Sequence, residues 1–524
     1  MKKFVLLFAM VLAGTVLWAG GSAASSGGSS SDALSGNIVV TPGAVTLDYW
    51  MPININAIKF MKSYAECEPY QEIQRRLKIN INFIHPANGS EQEQFNLMMA
   101  SGDFPDMIQG SNRYSGGVMK GVADGVYAEL SPYLQKQAPD YYRIINETKD
   151  MSRQFYDEAG HIGAFYKVSP YPPAPYHNRA ITRKDWLAEF GMKPPTTFDQ
   201  YEAFFKAVLE KKSGVVPLYL PVIGGARNEP YYAFNLAPDW FVTDGKVRHA
   251  YGDPDLLKYV TKMNDWYKKG YISKDFPSIP EQQIWSLFDT GKVAMYWDSV
   301  DSSGARTANL PFEIENCPFM RETENTKLHY QGASPFRRSG DETSITTSSS
   351  KAELDAALKF LNFGYTEEGA MLYNWGIEGK SYTLVNGKPV YTDLVMNNPN
   401  FTTENANYIM RIHFAPKMGI SDTVANPTVI KNEKSLAFRN QWKDDPNVDG
   451  IYRMPPIALT SEENTRRAEI MANVNTYASE MILKFIIGTE PLSNFNNYLS
   501  QINSYGFQEA VKLTQTAYDR YMAK

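Results

Sequence analysis

The side chains best suited to chemistry in this chain are rings, amides and charged groups that fall just beyond apolar, strand-like runs. Trp50 and Asn54, with Asn56, follow VTLDY at Val45 to Tyr49. Asn112 and Arg113, with Tyr114, follow the short run begun by Met107 and Ile108. Tyr176 and Asn178, with Arg179, lie in the Pro- and Tyr-rich stretch SPYPPAPYHNR, and Tyr231 with Tyr232 lies in a Gly/Pro-rich loop. Trp297 and Asp298 stand where GKVAMYW gives way to a polar loop containing Ser299, Asp301 and Ser302. Arg337 with Arg338, and Trp375 with Glu378, complete the set. The flat faces of Trp and Tyr match the C–H faces of pyranose rings, and their polar edges hydrogen-bond. Asn both donates and accepts, whereas ionised Asp only accepts. Arg pairs bidentately with a carboxylate, as a uronate sugar would require. Together these groups suit capture of an oligosaccharide.

Each has an ordinary alternative. The rings also read as core packing, Trp375 especially, because it ends an amphipathic helix. Arg337 and Arg338 also read as a solvated charge pair. Glu378 also reads as a residue that orients the turn between Gly376 and Gly379. Trp186, on a helix after Lys184 and Asp185, reads as core and is left out of the site. Asp298 with Glu378 is a conceivable carboxylate pair for an exported glycoside hydrolase, which needs a separation of about 5 to 10 Å. No catalytic motif surrounds either residue, so no catalytic residue is assigned.

Composition narrows the field. The chain has 524 residues, more than one core accommodates, so two lobes are expected. Net charge is −5, and no basic face for nucleic acid is evident. The 6 histidines are scattered without ligand spacing and CxxC pairs are absent, so no metal site and no cofactor is expected. Cys67 and Cys317, 250 residues apart (317 − 67), are open to bridging in an oxidising compartment but read as two unpaired thiols. The aromatic load is heavy, with 33 Tyr, 27 Phe and 9 Trp, which supplies both cores and sugar-stacking faces.

Lys2 and Lys3, the apolar run Phe4 to Trp18 and the small residues Ala19 to Ala23 follow the order of a secretory signal peptide. The run is short of the about 20 residues that a membrane span needs. Residues 1–23 are therefore expected to be a signal peptide and residues 24–40 a disordered Gly/Ser leader. No cysteine lies near the cleavage region to carry a lipid, which points to the periplasm of a double-membraned bacterium.

The elements that must position the candidate residues follow from periodicity. A strand at Val45 to Tyr49, a helix from Glu68 to Leu77 and a strand within Ile79 to His85 come first. A helix through Phe95, Met98 and Met99, stopped at Gly102, feeds a strand at Met107. This β-α-β-α-β order implies a largely parallel sheet with helices on both faces, and ligands of such sheets bind outside the carboxyl ends of the strands. GAFYK leads into a crossing segment. A second unit follows, with a helix capped by Thr197 that carries Tyr201, Phe204, Phe205 and Val208 on one face, then a helix over Leu256 to Gly270 and the buried strand GKVAMYW. The chain crosses back between Phe319 and Ser344. Helices at Lys351 to Phe363 and Glu367 to Trp375 precede a hairpin turning at Asn386-Gly387. Helices at Ser461 to Phe485, Leu492 to Gly506 and Phe507 to Tyr521 finish the chain. The expected division is 41–170 plus 330–385 for the first lobe and 171–329 plus 386–524 for the second.

In their order, the stretches MMASGDFPDMI, RKDWLAEFGMKPPTTFDQY, MNDWYKKGYI, GKVAMYW, GIEGKSYTLVNGKPVY and QEAVKLTQTAYDRY resemble the family 1 extracellular solute-binding proteins of ABC importers, and their oligosaccharide- and alginate-binding members in particular. The resemblance implies an α/β, two-lobe periplasmic binding protein fold of type II. Each lobe would be a mainly parallel sheet flanked by helices, joined by hinge crossings. It also implies a monomer that delivers an oligosaccharide to ABC permease subunits without breaking a bond. A peptide- or lipopeptide-binding clamp of the same fold is the other reading. Some alginate-binding relatives carry an acidic calcium loop where this chain reads EKKSGVVPLYLP, Glu210 to Pro221. That stretch lacks the oxygen ligands, about six or more, that calcium needs.

Overall fold

The computed structural model describes residues 41–524 apart from 55–56, 59–60, 170–177, 221–228, 280, 300–302, 304–306, 308–309, 330–335, 397–418, 421–432 and 441–444. The expected signal peptide and leader, Asn56 and Tyr176 lie outside the described residues. The strands, in chain order, are β1 (Thr46–Trp50), β2 (Asn80–Ile84), β3 (Met107–Gln109), β4 (Phe165–Val168), β5 (Asn178–Arg183), β6 (Val216–Leu218), β7 (Trp240–Thr243), β8 (Lys246–His249), β9 (Val293–Ser299), β10 (Ile314–Asn316), β11 (Arg338–Ile345), β12 (Tyr382–Val385) and β13 (Lys388–Tyr391).

Two sheets organise the molecule, in the orders β2-β1-β3-β11-β4 and β10-β5-β9-β6. In the first, β1 is parallel to β2 and β3, while β11 is antiparallel to β3 and β4. In the second, β6 is parallel to β9, while β5 is antiparallel to β9 and β10. Pairing is therefore half antiparallel or more, yet strand direction is uniform apart from one reversed strand in each sheet. Those reversed strands, β5 and β11, are the ones that arrive from the other lobe. A chain that leaves one sheet at a carboxyl end and enters the next at its carboxyl end must run down it, against its neighbours. The register fits: Arg338 starts β11 opposite Val168 at the end of β4, and Asn178 starts β5 opposite Ser299 at the end of β9. The carboxyl ends of both sheets therefore face the crossing segments.

Local sequence explains the elements that hold these ends. Helix Phe198–Lys211 begins at a capping box, in which the Gln200 amide donates to Thr197 Oγ1 (3.4 Å) and the Gln200 side chain accepts from the Thr197 N–H (3.3 Å). Its face of Tyr201, Phe204, Phe205 and Val208 is buried, as the spacing predicts. Asn386 and Gly387 both have positive φ (52° and 74°) and close the β12–β13 hairpin in two residues. A second hairpin, β7–β8, turns at Asp244-Gly245; this dipeptide carries the same signal, although the periodicity reading passes over it.

Two separate buried clusters form the cores. One gathers residues from the first sheet with Phe360, Leu361 and Leu372; the other gathers the second sheet with Trp266, Phe485 and Tyr498. Cys67 is buried in the first and Cys317 in the second, and no disulfide joins them. Burial pushes the Cys67 thiol up to about 12. Helix Ser461–Ile487 packs on helix Asp255–Lys268 and on helix Phe507–Ala523. Both C-terminal helices also reach the first lobe. The Asn464 amide donates to the Gly116 carbonyl, Arg520 pairs with both Glu463 and Glu158, and the Arg153 guanidinium lies 5.2 Å from the Tyr521 ring centre.

Candidate ligand crevice at the strand ends

At the edge of the first sheet, Trp50 ends β1 and is 4% exposed, packed edge-to-face on Phe95 with ring centres 5.9 Å apart. Its ring belongs to the core and is covered on one side by the Arg113 guanidinium, 5.9 Å from the ring centre. The loop after β1 is fastened by His85. The Tyr64 N–H approaches His85 Nε2 (3.2 Å), and since that amide only donates, Nε2 must accept and Nδ1 must carry the hydrogen. Nδ1 then donates to the Met51 carbonyl at 2.7 Å. Burial pushes the His85 pKa below its ordinary 6.5, which keeps this neutral form. The Tyr64 hydroxyl accepts the Asn54 N–H at 2.9 Å and so fixes Asn54.

The turn after β3 is held from β11. The Gly110 N–H donates to the Glu342 carbonyl (2.8 Å) and the Asn112 N–H to the Glu342 carboxylate (3.0 Å). Ser344 Oγ donates to Ser111 Oγ (2.8 Å), and the Tyr127 hydroxyl donates to the Ser111 carbonyl (3.0 Å). Asn112 is exposed and Arg113 half-buried on this turn. Arg337 and Arg338 fasten the segment that leads into β11. Arg337 Nε donates to the Ser169 carbonyl (2.8 Å) and its Nη1 pairs with Glu147 (2.8 Å). Arg338 lies 4.1 Å from the Tyr166 ring centre and donates to the Gln154 carbonyl (2.6 Å).

The edge of the second sheet is drier. Strand β9 runs on through Asp298 to Ser299, so Asp298 lies in a strand and not in the expected loop; pairing with Arg179 of β5 extends the ladder. Asp298 is fully buried and accepts hydroxyls from Tyr296 (3.2 Å) and Ser303 (2.8 Å). The Arg179 guanidinium covers the Phe319 ring at 4.3 Å. Trp297 is 3% exposed in the core, opposite Ala180, with a buried indole N–H that meets no acceptor among the described residues. Asn178 opens β5.

Tyr231 is wholly buried and stacks on Tyr259 at 4.3 Å, so its ring is part of the second core. Trp375 is buried against Tyr391 (4.7 Å) in a separate cluster with Val395 and Met396, and Glu378 is exposed on the adjoining turn. Glu378, on the turn beside the Trp375 cluster, and buried Asp298, within the second sheet, thus lie on different elements of the molecule. A cavity of about 220 Å³ lined by Lys184, Phe312, Glu313 and Phe438 sits at the far end of β5 from the crossing and plays no part in this crevice. The structure adds Gly110, His85 and Glu342 to the sequence-derived set as residues that position the first edge. Gly110, at a strand end before a polar turn, was legible as a turn residue; Glu342 was not, because only strand pairing brings it there.

Known proteins match this architecture. The profile of the family described as bacterial extracellular solute-binding protein covers residues 68–371. Lipoprotein LipO of Bacillus subtilis is 24% identical over 449 residues, 81% of each chain. The fructooligosaccharide ABC transporter substrate-binding protein FusA of Streptococcus pneumoniae is 20% identical over 505 residues, 89% of this chain and 90% of FusA. The FusA structure in complex with kestose superposes with a TM-score of 0.74, covering 91% of this chain and 99% of FusA at 18% identity. The alginate-binding protein AlgQ2, in a crystal structure without calcium ion, superposes with a TM-score of 0.71, covering 92% and 99% at 21% identity. With more than half of its length inside the family profile and the two-lobe fold of these neighbours, the chain belongs to the bacterial extracellular solute-binding proteins.

Proposed function

We propose that the protein is the periplasmic binding component of an ABC importer, which captures an oligosaccharide between its two sheets and hands it unchanged to a membrane permease. The observation that carries this reading is the pair of reversed strands, β5 and β11, which turn the carboxyl ends of both sheets toward one crossing region. Ligands of open α/β sheets bind outside such ends. Relatives named for fructooligosaccharide and alginate binding support a glycan as the cargo. Asn54, Asn112 and Arg113 supply polar contacts from the first edge, and Asn178 from the second. Residues 1–23 direct export, and a single copy acts in the periplasm. Rotation about the crossings closes the lobes on the sugar.

The test is X-ray scattering and thermal melting of the exported protein against a broad glycan panel. The expected result is a smaller radius of gyration and a raised Tm with some glycans. No response across the panel would overturn the reading.

A further inference from the structure

Arg113 stands out at the edge of the first sheet. Among the described residues, no carboxylate oxygen lies within 4.0 Å of it, whereas Arg337 nearby is paired with Glu147. Its guanidinium is nevertheless held in place. Nη1 donates to the Gly110 carbonyl at 3.3 Å, and the Trp50 ring lies beneath it. Gly110 makes this fold-back possible: a Cβ there would sit 1.9 Å from Nη1, and its φ of +76° suits glycine. The turn itself is fixed by Glu342, Ser344 and Tyr127. The nearby Glu91 accepts the Gly89 N–H at 3.0 Å, and Arg113, from beyond ion-pair distance, adds to the pull that holds its carboxyl below the ordinary value.

A guanidinium has five donors in a rigid fork that matches a carboxylate. Here one donor meets a carbonyl, and the remainder have no hydrogen-bond partner among the described residues, at a strand end of the kind where ligands of open α/β sheets bind. A half-buried cation fixed in this way, with no carboxylate within 4.0 Å among the described residues, is organised for an anion that arrives with the ligand. We propose that Arg113 forms a subsite for a ligand carboxylate, so the cargo is an oligosaccharide containing uronic acid. This inference rests on the oligosaccharide-binding reading above.

Calorimetry on the full chain compares a galacturonic acid tetramer with a neutral tetrasaccharide, for wild type, Arg113→Met and Arg113→Lys. The wild type is expected to prefer the acidic tetramer. Arg113→Met should weaken that binding about 100-fold and neutral binding far less, by about 3-fold, since only hydrogen bonds to hydroxyls are then lost; Arg113→Lys, which keeps charge but loses the fork, should fall between. Unchanged melting of each variant excludes misfolding. Neutral binding that equals or exceeds acidic binding, or an equal loss for both sugars in Arg113→Met, overturns the inference and leaves the oligosaccharide reading standing. If neither these tetramers nor any glycan of the broad panel binds, both fall.

Discussion

The two sheet edges share one plan and use it differently. Each has a buried carboxylate at its reversed strand, Glu342 on β11 in the first lobe and Asp298 on β9, opposite β5, in the second. Glu342 accepts a backbone N–H and so shapes a turn that carries exposed Asn112 and half-buried Arg113 outward. Asp298 accepts the hydroxyls of Tyr296 and Ser303, both internal. The first edge thus leaves polar groups at its surface, while the second ties its own together into a firm wall. Equivalent positions in the two lobes need not do equivalent work, even where topology repeats.

Acid should separate the lobes most strongly. Burial pushes His249 of the second lobe down to about 4, and the His85 pKa of the first lobe is also lowered. Both folded values lie below the ordinary 6.5. The unfolded chain therefore takes up protons first as pH falls below about 6.5, and stability present above that pH is lost on the way down to the folded pKa. For His249 the gap of 6.5 to about 4 corresponds to on the order of 3 kcal/mol. Melting from pH 7.5 to 4 should show a flatter profile for His249→Asn, which keeps an acceptor for the Tyr251 N–H. An unchanged slope would remove this difference between the lobes.

Next in size is the wall itself. Asp298→Ala strands two buried hydroxyls and should cost about 2 kcal/mol in denaturant unfolding, against less than about 0.5 kcal/mol for Arg113→Ala at the other edge. Equal losses would mean that both edges are structural. Helix caps provide a control, since Thr197→Ala in the second lobe and Ser350→Ala in the first both break capping boxes and should each cost about 1 kcal/mol. A large inequality there would show that the lobes differ in general robustness and not at their edges. The smallest effect belongs to Glu147→Gln, which removes an ion pair with a carboxylate side chain 59% exposed. Less than about 0.5 kcal/mol is expected, and a larger loss would make the Arg337 crossing a stability element of its own.

Much of this architecture was legible in the sequence. Periodicity and caps marked the helices at Glu68–Leu77, Phe198–Lys211 and Lys351–Phe363, because local amphipathicity and capping decide them. Asn54 follows β1, and Asn112 and Arg113 follow β3, as the apolar strand-like runs before them predict. Burial was less legible. Trp50, Tyr231, Trp297 and Trp375 fall near turns or strand ends, and a ring there packs inward or outward according to contacts hundreds of residues away. The roles of Glu342 and of Arg337 depend on which strands pair, and only the folded chain supplies that. Directional pairing was also hidden: the antiparallel entry of β5 and β11 follows from where each crossing arrives, which periodicity does not encode.

The final helical turn has a practical consequence. Lys524 Nζ donates to the Tyr156 carbonyl at 3.2 Å, and Tyr521 and Arg520 touch Arg153 and Glu158, so the last residues bridge onto the opposite half of the molecule. A fluorophore attached there would sit beside a partner surface whose spacing changes if the halves rotate, giving an optical reporter of cargo uptake. A bulky carboxyl-terminal fusion would instead pry at that seam and bias the resting geometry.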